Sequence, residues 1–236
     1  MTQQTLIASG KCSLDVPAKV RNKSVALLPI IALLAACATP KAPYDYTAFK
    51  QSRPASFLIL PPLNETPEVK ATIGVMASTA LPLAEAGYYV MPVSLVDETF
   101  KQNGLTVPED IHNVATDKLH NIFGADAAIY LKVKKYGTTY FVLGSQTVVT
   151  IEGKIVDLRN GRVIWAGAST ASSAESDGGN SGGLAALLVK AIVSQVAGTV
   201  TDASFNYAAI ANQRLLGAPV PNGVLYGPRS LSYQKD

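Results

Sequence analysis

Hydrophobic positions fall into three patterns along the chain. The first is a continuous apolar run from Val25 to Ala36, VALLPIIALLAA, preceded by Arg21 and Lys23. A basic segment, a short apolar stretch and small residues at its end predict an export leader over residues 1–36. The run spans 12 residues, short of the roughly 20 needed to cross a bilayer. Residues 1–19 are polar and fit a leader poorly, so translation is expected to begin near Val20.

The second pattern is a series of short apolar blocks bounded by turn residues. Phe57-Leu58-Ile59-Leu60 is a strand stopped by Pro61-Pro62. Glu68 to Ala86 reads as a helix, with Gly87 at its C-terminal cap position. Tyr88 to Met91 is a second strand. Ser94 is the expected N-cap of a short helix ending at Asn103-Gly104. Val107-Pro108-Glu109-Asp110 opens another helix that Gly124 ends, with Ile111, Ala115, Leu119 and Ile122 near one face.

The third pattern is alternation. In Ala127–Tyr136, Ile129, Leu131 and Val133 point one way, and Tyr130, Lys132 and Lys134 the other. Ser145–Leu158 and Val163–Ser173 flank Asn160-Gly161, which predicts a hairpin with a type I′ turn. Leu184–Val200 follows as a helix. The order β-α-β-α-α-β-β-β-α implies an α/β fold: a single mixed sheet, parallel at its start and antiparallel at its end, with packed helices. The expected organisation is a leader (1–36), a tether (37–55) carrying Pro40, Pro43 and Pro54, an α/β domain (56–202) and an extended C-terminal tail (203–236).

Composition sharpens this picture in two places. The formal net charge of +3 over 236 residues belongs to the leader, where Lys11, Lys19, Arg21 and Lys23 oppose Asp15. From Cys37 onward 16 Lys and Arg balance 16 Asp and Glu, so the charge gives no argument for nucleic acid. Lys132, Lys134 and Lys135 are the densest basic group, and they read as a solvated strand face. Of the two cysteines, Cys12 and Cys37, only Cys37 survives removal of the leader, which excludes an internal disulfide or a cysteine zinc cage in the mature chain.

That cysteine closes Leu34-Ala35-Ala36-Cys37. The tetrapeptide matches the lipobox of bacterial lipoproteins, Leu-(Ala/Ser)-(Gly/Ala)-Cys, at every position. The resemblance implies cleavage before Cys37, a diacylglycerol on its thiol and an acyl chain such as palmitate on the freed amine. Two or more chains make such anchoring stable. Ala38 stands where an Asp favours inner-membrane retention in enterobacterial lipoproteins, which implies the outer membrane.

Candidate chemistry is sparse. Gly179-Asn180-Ser181-Gly182-Gly183 satisfies G-x-S-x-G and resembles the nucleophile segment of some trypsin-like envelope proteases. His112 or His120 with Asp126 or Asp157 would supply the rest of a serine hydrolase triad. The segment runs into a helix rather than out of a strand, and no His follows Ser181, so a loop is the expected reading. His112 and His120 lie about 80° apart around a helix, which suits no shared metal. No catalytic residue, metal site or cofactor is assigned. The 184–200 helix is apolar nearly all round; Leu184, Leu187, Leu188, Val189, Val193 and Val196 are candidates for a partner or self-association surface if they do not face a core.

The leader, FLILPPLN at Phe57–Asn64, LHNIFGADAAIYL at Leu119–Leu131, the Asn-Gly hairpin and the final helix together resemble a family of Gram-negative outer-membrane lipoproteins of unassigned function. More remotely, the strand-then-Pro opening and the Gly-Ala-Asp-Ala lead into a strand look like the curli-export channel lipoprotein and the N-terminal domain of TolB. The resemblance implies a non-enzymatic accessory or binding role in envelope assembly or export. The implied partners are the membrane, other envelope lipoproteins or export components, and a second copy of the chain, in a periplasmic-facing or surface-exposed position. A self-assembling surface lipoprotein is the alternative, and a serine hydrolase a remote one.

Overall fold

The computed structural model describes residues 44–141, 144–177 and 203–235. Its elements run α1 (Thr47–Ser52), β1 (Ser56–Ile59), β2 (Leu63–Asn64), α2 (Ala71–Glu85), β3 (Tyr89–Val90), α3 (Val93–Gln102), α4 (Pro108–His112) and α5 (Thr116–Phe123). There follow β4 (Ala127–Phe141), β5 (Gly144–Asp157), β6 (Val163–Ser172), α6 (Ala174–Asp177) and α7 (Ala203–Leu216). The strands form one six-stranded mixed sheet in the order β3-β1-β4-β5-β6, with β2 also pairing β4. β1 is parallel to both β3 and β4, and β4-β5-β6 is an antiparallel meander. The expected α/β class and single mixed sheet are what the chain adopts.

β1 explains the centre of the sheet. All four residues Phe57 to Leu60 are fully buried, so helices must cover both faces there. Phe57 and Ile59 join Ile129, Leu131 and Val133 of β4, Ile151 and Ile155 of β5 and Trp165 of β6 under α2 and α7. Leu58 and Leu60 join Ala128, Tyr130, Val156 and Leu158 in a smaller core under Val96 and Phe100 of α3, Ile111 of α4 and Leu119 of α5.

Four local expectations are corrected. The hairpin turn is not type I′: Gly161 has φ +71°, but Asn160 does not take positive φ. Instead Asp157 accepts the Gly161 N–H on its carbonyl (2.8 Å) and the Arg159 N–H on its carboxylate (2.9 Å), a side-chain turn that replaces the tighter one. Ser94 does not cap α3, which starts at Val93; the carbonyl of Pro92 takes the Leu95 and Val96 N–H groups at 3.0 and 3.1 Å. The helix expected to run to Gly124 breaks at Ala115 (ψ 140°) into α4 and α5. The break lets Ile111 and Leu119 both reach the core, while Ile122 is left 56% exposed.

The fourth correction concerns both ends of the domain. Residues 203–216 are helix, not extended tail, and Ala208, Ala211, Leu215 and Leu216 lie in the larger core. Asn212 of α7 donates to the Val75 carbonyl (2.9 Å) and to Ser78 Oγ (2.8 Å) of α2, which locks the two helices together. Residues 44–55 belong to the domain rather than to a free tether. Phe49 is buried, Tyr44 Oη accepts the Ala166 N–H of β6 (2.8 Å), and Tyr46 Oη donates to the Gly223 carbonyl (2.6 Å).

Candidate functional site

The lipobox residues Leu34, Ala35, Ala36 and Cys37, Ser181 of the GNSGG segment, and the helix face of Leu184, Leu187, Leu188, Val189, Val193 and Val196 all lie outside the described residues. The remaining candidates of a hydrolase triad have other partners. His112 Nε2 sits 2.9 Å from the Pro61 carbonyl, which makes Nε2 the protonated nitrogen. Its ring stands edge-on to Tyr130 at 5.1 Å. Burial depresses its pKa, outweighing the opposing pull of the Pro61 carbonyl. His120 Nδ1 contacts the Ala125 carbonyl (2.8 Å) just past the end of α5. Both imidazoles therefore pin loops.

Asp126 gathers the start of β1: its carboxylate accepts the Ala55 and Ser56 N–H groups and the Ser56 hydroxyl at 2.8–3.1 Å. Asp157, 1% exposed, is held by Arg159 Nη2 (2.7 Å), Arg159 Nε (2.9 Å) and the Ser52 hydroxyl (2.7 Å). Burial pushes this carboxyl up, but hydrogen bonds from Arg159 and Ser52 and the guanidinium charge outweigh it and hold the pKa at about 2. Arg159 also donates to the Ser52 carbonyl (2.7 Å), so the turn after β5 is tied to the end of α1. An arginine-saturated carboxylate of this kind is a strut. It is too acidic to serve as a base near neutral pH.

The basic strand face behaves likewise. Lys132 (3.0 Å) and Lys134 both pair with Glu65, whose carboxyl the two ammonium donors hold below the usual range. Among the described residues no group of three or more His, Cys, Asp or Glu side chains is placed to hold a metal ion. No helix among them is long and apolar enough to cross a membrane.

A concavity lies at the other side of α1, where the sequence pointed to nothing. It is a cleft of about 250 Å³ between α1, Tyr88 and the C-terminal segment. Phe49 and Tyr88 form its floor, their rings 6.5 Å apart and edge-on. Tyr88 Oη donates to the Leu225 carbonyl (2.6 Å) and so fixes the C-terminal wall. Tyr226 and Tyr233 line that wall, and the exposed Lys50 and Arg53 stand on the α1 side. Arg53 caps α1 in the left-handed region (φ 45°), its N–H bonded to the Phe49 carbonyl. The chain reaches this place because Gly227 and Arg229 donate to the Ala86 and Gly87 carbonyls at 2.7 and 3.0 Å, laying the tail along the end of α2. Gly87 takes φ +96°, and a Cβ on it would meet the Ser230 backbone nitrogen at 2.5 Å. No spacing could have signalled the cleft, because its walls come from residues near 50, 88 and 226.

The chain is 49% identical over 208 residues to "Putative lipoprotein NMB1124/NMB1162" of Neisseria meningitidis serogroup B, covering 88% of this chain and 96% of the relative. The crystal structure of lipoprotein GNA1162 from Neisseria meningitidis overlaps with a TM-score of 0.51 at 51% identity, over 62% of this chain and all of that one. A PelC dodecamer from Paraburkholderia phytofirmans overlaps more loosely, with a TM-score of 0.37 at 16% identity over 51% of this chain and 72% of that one. The family model described as "Putative lipoprotein GNA1162-like" matches residues 44–229. The chain belongs to the GNA1162-like lipoprotein family.

Proposed function

We propose that the chain is an outer-membrane lipoprotein, anchored by a diacylglycerol and an N-acyl chain on Cys37, that acts as a non-enzymatic binding module in assembly or export of an envelope component. The observation that carries this reading is the coincidence of two features. A complete lipobox, Leu34-Ala35-Ala36-Cys37, stands just ahead of a unit that belongs throughout to a lipoprotein family. The chemistry of the folded unit supports the non-enzymatic part. His112, His120, Asp126 and Asp157 each pin backbone, and the acidic pKa of Asp157 disqualifies it as a base.

Two experiments test the reading. In the first, cells are fed an alkyne-bearing palmitate analogue and the protein is probed for label; wild type takes up label and fractionates with the outer membrane, and Cys37→Ala does neither. Label that persists in Cys37→Ala would sink the anchor. In the second, the chain carries a C-terminal tag, cells are crosslinked, and the membranes are extracted in mild detergent. Co-purification of other envelope lipoproteins or of a channel subunit supports the assembly or export role. Recovery of the chain with only itself favours the self-assembling alternative and turns attention to Leu184–Val200.

A further inference from the structure

α2 is apolar on its outer side as well as its inner one. Between Lys70 and Glu85 it carries no charged side chain. Val75, Thr79 and Leu83 are buried, and Asn212 of α7 holds the helix on this side through Val75 and Ser78. About 160° around the axis, Ile73, Ala77 and Leu81 form an exposed row at a spacing of four, with Ala84 beside its end. Ile73 and Leu81 are 74% and 57% exposed, and Val69, just ahead of the helix, is 85% exposed. Glu68 and Lys70 precede the row and Glu85 ends it. A helix apolar nearly all round needs cover on both sides, and no described element covers this one.

The chain itself holds a cover of matching character and length. Residues 184–200 lie outside the described residues, but their sequence contains one charged side chain, Lys190, in 17 positions. A helix of that length measures about 25 Å, against about 22 Å for the 15 residues of α2. The flanking structure fixes where this segment starts and returns. Tyr136, late in β4, brings its hydroxyl against Gly74, so α2 begins beside the late end of β4. β6 finishes at the same end, because Ala171 pairs with Val149 and Val149 with Tyr136. The chain therefore departs there, through α6 and Asp177. α7 starts there too. Ser169 Oγ donates to its Ala211 carbonyl (2.7 Å), and Leu215, one turn on, lies beside Gly167, so the helix runs away from Ala171 and Ala203 stands at the end where α2 begins. The three steps from Val200 to Ala203 reach about 11 Å at most, which keeps Val200 at that end. The seven steps from Asp177 to Leu184 reach about 25 Å, enough to carry Leu184 to the far end of α2, and Gly178, Gly179, Gly182 and Gly183 permit the turns this takes. We infer that residues 184–200 form a helix docked lengthwise on the outer face of α2, antiparallel to it and within one chain, with Leu184 toward Glu85 and Val200 toward Val69. The two apolar helices then cover each other, and the surface on which the self-assembling alternative relies is taken up by the domain itself.

The test uses the chain from residue 37 onward with Cys37→Ser, which holds no other cysteine, so that introduced pairs can be crosslinked without ambiguity. Antiparallel docking brings Leu81→Cys near Leu188→Cys or Val189→Cys, and Ile73→Cys near Val196→Cys or Ala197→Cys. The exchanged combinations, Ile73→Cys with Leu188→Cys and Leu81→Cys with Val196→Cys, are about 12 Å further apart along the axis. Under mild oxidation the matched pairs should form disulfides at the mass of one chain, at least about tenfold faster than the exchanged pairs. Equal rates for matched and exchanged pairs, or no link in any, overturn the docking. Links found only at the mass of two chains overturn the within-chain assignment and give the face to a second copy. As a second measurement, Ile73→Asp with Leu81→Asp should speed amide hydrogen exchange over residues 184–200 by at least about tenfold. Both positions are exposed, and near-ultraviolet circular dichroism of Trp165 verifies that the variant keeps its core. Unchanged exchange overturns the proposal. Neither readout involves the lipid anchor or an envelope partner, so each stands or falls apart from the function proposed above.

Discussion

The two faces of the sheet are built differently. One is covered from edge to edge: α2, α7 and the N-terminal residues lie over β1, β4, β5 and β6, and Trp165 is sealed beneath them at 1% exposure. The other is covered only at one end, where α3, α4 and α5 sit on β1, the start of β4 and the end of β5. Beyond that, no described residue covers the second face, and the exposed Glu152, Lys154, Ala166, Ala168 and Thr170 line it. The difference follows from connectivity. Parallel strands need crossovers, and crossovers place helices on faces; an antiparallel meander needs only turns and leaves a face bare.

Perturbing each face should give unequal effects. Trp165→Ala removes the largest buried side chain of the closed face and its Nε1–H bond to the Asn222 carbonyl (3.2 Å). Chemical denaturation should show a loss of about 4–5 kcal/mol. Phe100→Ala on the smaller core should cost less, about 3 kcal/mol, because short α3 and α5 can settle into the void. Equal losses would mean that the second face is as rigid as the first. Acidification probes the strut between the faces. Asp157 has its pKa lowered to about 2, so its contribution is complete above about pH 4 and disappears as pH falls toward 2. In Asp157→Asn the melting temperature should therefore drop at neutral pH by the equivalent of about 1–2 kcal/mol and change less than wild type between pH 4 and 2. On the bare face, Glu152→Ala should stay within about 0.5 kcal/mol of wild type; a larger loss would show that something covers this surface.

The same asymmetry governs what the sequence makes legible. Phe57–Leu60 has no polar position and reads as a doubly buried strand, while the alternation of Ile129, Leu131 and Val133 with lysines reads as a half-buried one. Asn160-Gly161 marks the hairpin, although the Asp157 carboxylate shapes the turn together with the dipeptide. α7 is hidden because its buried face uses alanines and Asn212, whose meaning depends on the Val75 carbonyl 137 residues away. β2 is two residues long and leaves no periodic trace. The candidate histidines and aspartates are conspicuous as residue types, yet each answers to a neighbouring backbone group that no motif encodes. The cleft stays invisible for a related reason: it exists only after both ends of the domain have come together.

The position of α7 in the chain also sets the timing of folding. The larger core lacks one of its covering helices until residues 203–216 are available, and Tyr46 has no carbonyl to meet until Gly223 is present. Contacts this remote in sequence form slowly and late. The domain is therefore complete only once residues close to the C-terminal end of the chain are in place. Under the export proposed above, completion of the domain would follow passage of the chain rather than precede it.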